Sequence, residues 1–275
     1  MTAPRPLIGV SGWSYDSWRG DFYPEGLART KQLTYVASTM TAVEVNGTFY
    51  SLQRPTTFRR WVEQTPEDFV ISLKGSRYVT HLKRLGDVET ALANFFASGV
   101  LELGARLGPI VWQLPATITW DEALIDRFLG LLPRTTDELA RLAEQHDDRL
   151  APERAVTRAQ VSLPVDHVLE VRHPSFDVPA FADLLRRHDV AAVRNDAPKP
   201  WPVLDLASSR VAYARLHGHS RMYASRYSDA GLDDWARWCR RWLDAGRDVH
   251  VYFDNDMEGH APHDAVRLLE RMRRV

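Results

Sequence analysis

Apolar positions in this chain fall into short, nearly unbroken runs, and most of the runs stop at a charged or amide residue. In order they are LIGVSG from Leu7, AVEVN from Ala42, FVISLK from Phe69, PIVWQLP from Pro109, HVLEVRH from His167, VAAVRND from Val190, VAYARLHG from Val211 and DVHVYFDND from Asp248. A parallel strand is covered by helices on its outer face and packed on its inner one, so it reads as a continuous Val, Ile and Leu run. The intervening stretches TTFRRWVEQ, ETALANFFASGVLELGARLG, DEALIDRFLGLL and PAFADLLRRH carry helical spacing. Eight strand-then-helix units predict an α/β chain, a single-domain TIM-type (β/α)8 barrel over residues 1–275. An open dinucleotide-binding sheet fits less well, because SGWSYDSW stands where a glycine-rich phosphate turn belongs.

Two segments break the repeat. The charged stretch from Arg134 to Gln160 lengthens the connection between the fourth and fifth strands and reads as an exposed helical insertion, with its arginines interspersed among acids. The Pro-rich link APKPWPVLDLASSR from Ala197 leaves a short or missing sixth helix.

Composition narrows the setting. The 275 residues are 44% hydrophobic and carry a formal charge of -1, so no global basic field advertises nucleic acid or an anionic membrane. The lone Cys239 excludes an internal disulfide and a cysteine zinc cluster. The amino-terminal MTAPRPLIGV resembles no signal peptide, and no apolar run reaches the length of a membrane span, so the expectation is a cytoplasmic protein without a membrane partner.

The polar strand ends are where chemistry is expected, since barrel enzymes work at the C-terminal end of the strands. Residues two apart on a strand share a face, which pairs Glu44 with Asn46, Glu170 with Arg172 and Arg215 with His217. Lys74, Gln113, Asp196, Asp254 and Asn255 close other runs. Buried charges of both signs imply ion pairing, a ligand, or both, and a polar layer that only caps the barrel is the competing reading. His217 is the best general acid or base by type. Trp13 and Tyr50 could wall a substrate, whereas Trp18 and Tyr23 read as loop anchors. Arg19, His81, Arg84, Arg172 and Arg215 could form a local anion-binding patch. No HExxH pair, GxSxG elbow or phosphate-binding P-loop occurs.

The segments SGWSYDSWRGDFYP, VEVNGTFYSL, FVISLKGSRYVTH, WQLP, LEVRHPSF, YARLHG and YFDND, in this order, closely resemble the YecE-like family, also called domain of unknown function 72. The resemblance runs from about Ile8 to Ala265. It implies a TIM-type barrel and no established reaction, and the family has been compared by fold with endonuclease IV and sugar isomerases. Its pattern falls on the strand ends named above and adds Gly12, Phe49, Pro115, His173, Gly218 and Asp256. The chain departs from it at Phe176, where the family usually has Trp, and at His263 and Asp264, where a late Asn is usual.

Three readings follow. The leading one is a metal-independent enzyme acting on a small polar or anionic molecule, such as a sugar phosphate or nucleotide-like compound. In it Glu44, Glu170 and His217 are catalytic, Lys74, Arg172 and Arg215 hold the anion, and Trp13, Asn46, Tyr50, His81, Gln113, Asp196, Asp254 and Asn255 line the site. The second is a metal-assisted phosphodiester hydrolase acting on nucleic acid, with a divalent ion on Glu44, Glu170, Asp196, His217 and Asp254; the near-neutral charge disfavours it. The third is a non-catalytic ligand-binding or interaction module that uses the 134–160 insertion as its partner surface.

Overall fold

A computed structural model of the chain describes residues 4–273. Eight parallel strands close a barrel in sequence order. They are β1 (Pro6–Ser11), β2 (Ala42–Val45), β3 (Val70–Lys74), β4 (Leu107–Gln113), β5 (His167–Glu170), β6 (Ala191–Asp196), β7 (Val211–Leu216) and β8 (Asp248–Phe253). β8 pairs with β1 in a register that sets Leu7 against His250 and Gly9 against Tyr252, so no strand edge is left open.

The helices are α1 (Gln32–Thr39), the single turn α2 (Gly47–Tyr50), α3 (Pro55–Glu63), α4 (Glu89–Ala97), α5 (Glu122–Gly130), α6 (Thr136–Ala143), α7 (Pro179–Arg187), α8 (Asp229–Asp244) and α9 (His260–Arg273). Their starts are written locally. Pro opens α3 and α7, where its missing N–H costs nothing. Asp121, Thr135 and Ser228 cap α5, α6 and α8 by accepting a backbone N–H of the first turn. Among the described residues, no helix is long and apolar enough to cross a membrane.

Strand alternation sorts the side chains into two cores. Ile8, Val43, Ile71, Trp112, Leu169 and Val251 face outward into the large cluster shared with the helices. Leu7, Ala42, Val70, Val111, Val168, Ala191, Val211, Tyr213 and Tyr252 form a second buried cluster inside the barrel. Each such aliphatic side chain contributes roughly 1.5–3 kcal/mol by leaving water. That apolar plug is the floor on which the polar strand ends stand.

No helix lies between β6 and β7; residues 197–210 run as irregular chain, as the prolines predict. The insertion is less helical than expected. Only α6 and the turn Pro152–Arg154 are helical there, and the rest is held by Asn94 of α4, whose side chain bonds Asp147, and by Val156 N–H on the Ala97 carbonyl. Arg134 is not on a solvated face: it is half-buried and donates to the Leu129 carbonyl.

Candidate active site

Ser11, Glu44, Lys74, Gln113, Glu170 and Arg215 each stand at or next to the C-terminal end of a strand and share the inward face of the apolar layer below. Arg215 is the hub, fully buried at 1% exposure. Its Nε donates to both Glu44 carboxylate oxygens at 3.1 Å, Nη1 to Glu170 Oε2 at 2.8 Å, and Nη2 to Glu44 Oε1 at 2.8 Å, Ser11 Oγ at 3.1 Å and Asp254 Oδ2 at 3.3 Å. Burial alone would lower its pKa, but Glu44, Glu170 and Asp254 reverse that and push it well above the usual value.

Glu44 is saturated. Besides Arg215 it accepts from Ser11 Oγ at 2.5 Å and from the Tyr213 hydroxyl at 2.6 Å. Glu170 accepts from Arg172 Nε at 2.7 Å and lies 2.6 Å from its Nη2. Burial would raise the Glu170 carboxyl; Arg172 and Arg215 overcome it and hold the group well below the ordinary carboxylate range. Glu170 thus stands as a carboxylate pinned between two guanidiniums, Arg172 and Arg215. Arg172 Nη2 also donates to Gln113 Oε1 at 3.0 Å, and its guanidinium sits 4.0 Å over the Trp201 ring.

His217 is buried, with Nδ1 2.9 Å from Asp254 Oδ2 and Nε2 3.3 Å from Asn195 Oδ1. Burial raises the Asp254 carboxyl, but Arg215 and the His217 hydrogen bond bring it below its usual value. Asp256 behaves oppositely. Burial and the neighbouring Asp254 charge push it well above the carboxylate range, and neither carboxyl oxygen has a hydrogen-bond partner among the described residues. Tyr15 lies beside it but spends its hydroxyl hydrogen on the Ser11 carbonyl at 2.6 Å. Tyr15, Tyr223, Asp254, Asp256 and Met257 line a cavity of about 350 Å³ at the barrel mouth, with the Asp256 carboxyl oxygens themselves buried.

A neighbouring cavity of about 310 Å³ is lined by Trp13, Tyr15, Asn46 and Trp61. Trp13 packs edge-on against Trp61, and Asn46 donates to Ser11 Oγ at 3.0 Å while its own Oδ1 is buried and unpartnered. Lys74 lies 4.5 Å over the Phe49 ring. His81 stacks edge-on against the same ring and touches Thr80 Oγ1; burial, with Lys74 and Arg172 nearby, lowers its pKa.

Several expected residues stand elsewhere. Asp196 meets His219 at 3.0 Å and lines a separate cavity of about 670 Å³ beside α8, away from the Arg215 cluster. Asn255 is buried but turned toward the Ser225 carbonyl and the Asp264 carboxylate, at 2.9 and 3.0 Å. Tyr50 is 68% exposed. Arg19 pairs with Asp16 and Arg84 with Thr117, so neither joins an anion patch with Arg172. Trp18 and Tyr23 are buried loop anchors, as read. Ser11, Tyr213, Asn195 and Trp201 were missed. Tyr213 had a signal, standing two residues before Arg215 on the same face, whereas Trp201 comes from an irregular link whose path no pattern announces.

The point where Glu44, Glu170 and Asp254 converge is filled by the Arg215 guanidinium, Asp196 is elsewhere, and no group of three His, Cys, Asp or Glu side chains among the described residues is disposed to hold a metal.

Residues 7–275 match the family model described as Protein of unknown function DUF72. The chain belongs to this family. DUF72 relatives include UPF0759 protein YunF of Bacillus subtilis strain 168, 23% identical over 96% of this chain and 93% of the relative. UPF0759 protein YecE of Escherichia coli K12 is 32% identical over 110 residues, 40% of this chain and 38% of the relative. A DUF72 family protein of Thermotoga maritima has the same fold, with a TM-score of 0.74 at 22% identity over 96% of this chain and 98% of that one. A D-psicose 3-epimerase of Clostridium cellulolyticum H10, solved with D-tagatose, superposes with a TM-score of 0.53 at 12% identity over 97% and 98% of the two chains. Both likenesses show the TIM-type fold.

In this DUF72 chain Phe176, His263 and Asp264 are held by contacts away from the Arg215 cluster. Phe176 is buried against Trp120 and Phe181. Asp264 accepts from Asn255, from the Tyr227 N–H and from Arg267, and His263 bonds Asp21.

Proposed function

We propose that the barrel mouth binds a small polar or anionic molecule and transfers protons on it, with Asp254 and His217 as the proton-handling couple. Glu44 and Glu170 serve as fixed anions that orient Arg215 and Arg172. One observation carries this reading: the charged layer satisfies itself completely below the mouth and incompletely at it. Every Glu44 and Glu170 oxygen is engaged. Lys74 Nζ has no hydrogen bond or ion pair among the described residues, and Asp254 and Asp256 are among the residues lining the cavity that Tyr15 and Tyr223 flank. The unmet Asp256 carboxyl is the group a bound molecule would serve, since each buried unmet polar group costs about 1–3 kcal/mol.

The metal-assisted phosphodiester reading has less support, because a guanidinium stands where its ion belongs. The acid/base reading is tested by thermal-shift screening of small polar metabolites, including glycerol 3-phosphate, citrate and D-sorbitol. The screen is run against wild-type protein and the Asp254→Asn and His217→Gln variants, followed by turnover assays on any stabilising compound. The expected result is stabilisation by anionic compounds, with turnover lost in both variants and the fold kept. Turnover unchanged in Asp254→Asn would sink the assignment.

A further inference from the structure

The chain has four lysines, Lys31, Lys74, Lys83 and Lys199, against 31 arginines. Three of the lysines are exposed; Lys74 is 8% exposed and sits in the ring of site charges. A protein that uses arginine for nearly every cationic task has a lysine here, and unlike arginine a lysine can give up its proton and act as a nucleophile. Its neighbours do not tie it down. No carboxylate or carbonyl holds Nζ among the described residues, and its contact is the face of Phe49.

The backbone beneath it is fixed. Thr48 Oγ1 donates to the Lys74 carbonyl at 2.7 Å. The next residue is Gly75, where a Cβ would lie 2.3 Å from the Trp112 ring, so the chain passes too close to that indole for any side chain. The amine is thus presented from a rigid strand end, as a reacting group must be.

We infer that Lys74 captures a small aldehyde or ketone as an imine, which narrows the substrate of the proposed site to carbonyl compounds and rests on that reading. The amine nitrogen lone pair attacks the carbonyl carbon, and the C=O π pair moves to oxygen, which takes a proton. The carbinolamine then loses that oxygen as water while nitrogen gives up a proton, so amine plus carbonyl becomes imine plus water with no oxidant or reductant. Protonated, the iminium carries the charge the ammonium had, beside Glu170, Glu44 and Asp254. It draws electrons from the adjacent carbon, whose proton a carboxylate at the mouth can accept.

Electrostatics agree with the geometry. Burial, then the Arg215 charge, lowers the Lys74 pKa to about 8, while Glu170, Glu44 and Asp254 oppose the shift. His81 and Phe49 are its other neighbours. An exposed lysine near 10.4 has far less free amine at neutral pH.

The test is reductive trapping of wild-type protein with glycolaldehyde and sodium cyanoborohydride, followed by peptide mapping of the four lysines from about pH 6 to about pH 10. Lys74 is expected to be labelled about tenfold or more faster than Lys31, Lys83 and Lys199 at about pH 8, with a midpoint near that pH. In Lys74→Arg the fast adduct should vanish while the three exposed lysines label as before. Labelling of the exposed lysines with Lys74 spared, or a Lys74 midpoint near that of an ordinary lysine, overturns the inference, and the wild-type profile decides this even if the variant fails to fold. If polar compounds without a carbonyl still bind while Lys74 stays unlabelled, the imine is wrong and the acid/base site stands; if neither occurs, both fall.

Discussion

Arg215 on β7 reaches across the barrel interior to Glu44 on β2, setting its Nε 3.1 Å from both carboxylate oxygens and its Nη2 2.8 Å from one of them. Neither residue meets solvent, at 1% and 0% exposure. The pair joins strands far apart around the ring and does so through charge that has been taken out of water. Such a pair is held less for stability than for what it fixes in place, here the carboxylates of Glu170 and Asp254.

Removing one partner should therefore be costly. Arg215→Met is expected to lose about 3–5 kcal/mol of folding stability, because three carboxylates lose their shared cation. Glu44→Ala should also destabilise, since Arg215, Tyr213 and Ser11 all donate to it. Urea unfolding of the two single variants and the double variant measures this. A double variant no worse than either single one is expected, and additive losses would contradict direct coupling.

Trp201 holds the irregular link over the site through Arg172, 4.0 Å beneath its ring. Trp201→Ala should weaken ligand stabilisation and cost about 0.5–2 kcal/mol of global stability at most. The comparison to make is thermal shift with and without a bound anion. Unchanged ligand stabilisation would show that the link takes no part in binding.

Asn255 belongs to the scaffold by its bonds to Ser225 and Asp264. Asn255→Ala is expected to cost roughly 1.5–3 kcal/mol of stability while leaving the reactivity of Lys74 unchanged. Loss of Lys74 reactivity in a well-folded Asn255→Ala protein would place Asn255 in the site after all.

His167 sits outside the site and is buried neutral, accepting from the Trp112 indole at 3.1 Å and facing the Pro133 carbonyl with Nε2 at 2.8 Å. Burial and the Arg134 charge lower its pKa to about 3. Because the folded value lies below the unfolded value of about 6.5, the unfolded chain binds the extra proton first. Stability from this residue is complete above about pH 6.5 and declines as pH falls toward the folded value of about 3. His250, also lowered to about 3 by burial and by Arg210, acts in the same direction. A His167→Gln variant should show a flatter loss of stability between those limits in denaturant titrations, and a slope equal to wild type would refute the linkage.

The eight strands were legible because a strand buried on both faces must be apolar along its length, and that demand is local. Period-two alternation likewise put Glu44, Glu170 and Arg215 on inward faces before any coordinates. The missing sixth helix followed from the prolines of residues 197–210. Partnership was another matter. Sequence offered Glu44 and Glu170 as proton carriers, and only the closed barrel shows both engaged by guanidiniums, because distance across an interior depends on closure and register. Asp196 and Asn255 close their strands with polar groups, yet both follow the outward register of Leu216 and Phe253, so one meets His219 and the other Asp264. Trp201 arrives from an irregular link. Lys74 ends an apolar run in the sequence, but its burial and lack of a direct ion pair exist only where eight strand ends meet, and those two properties decide how an amine reacts.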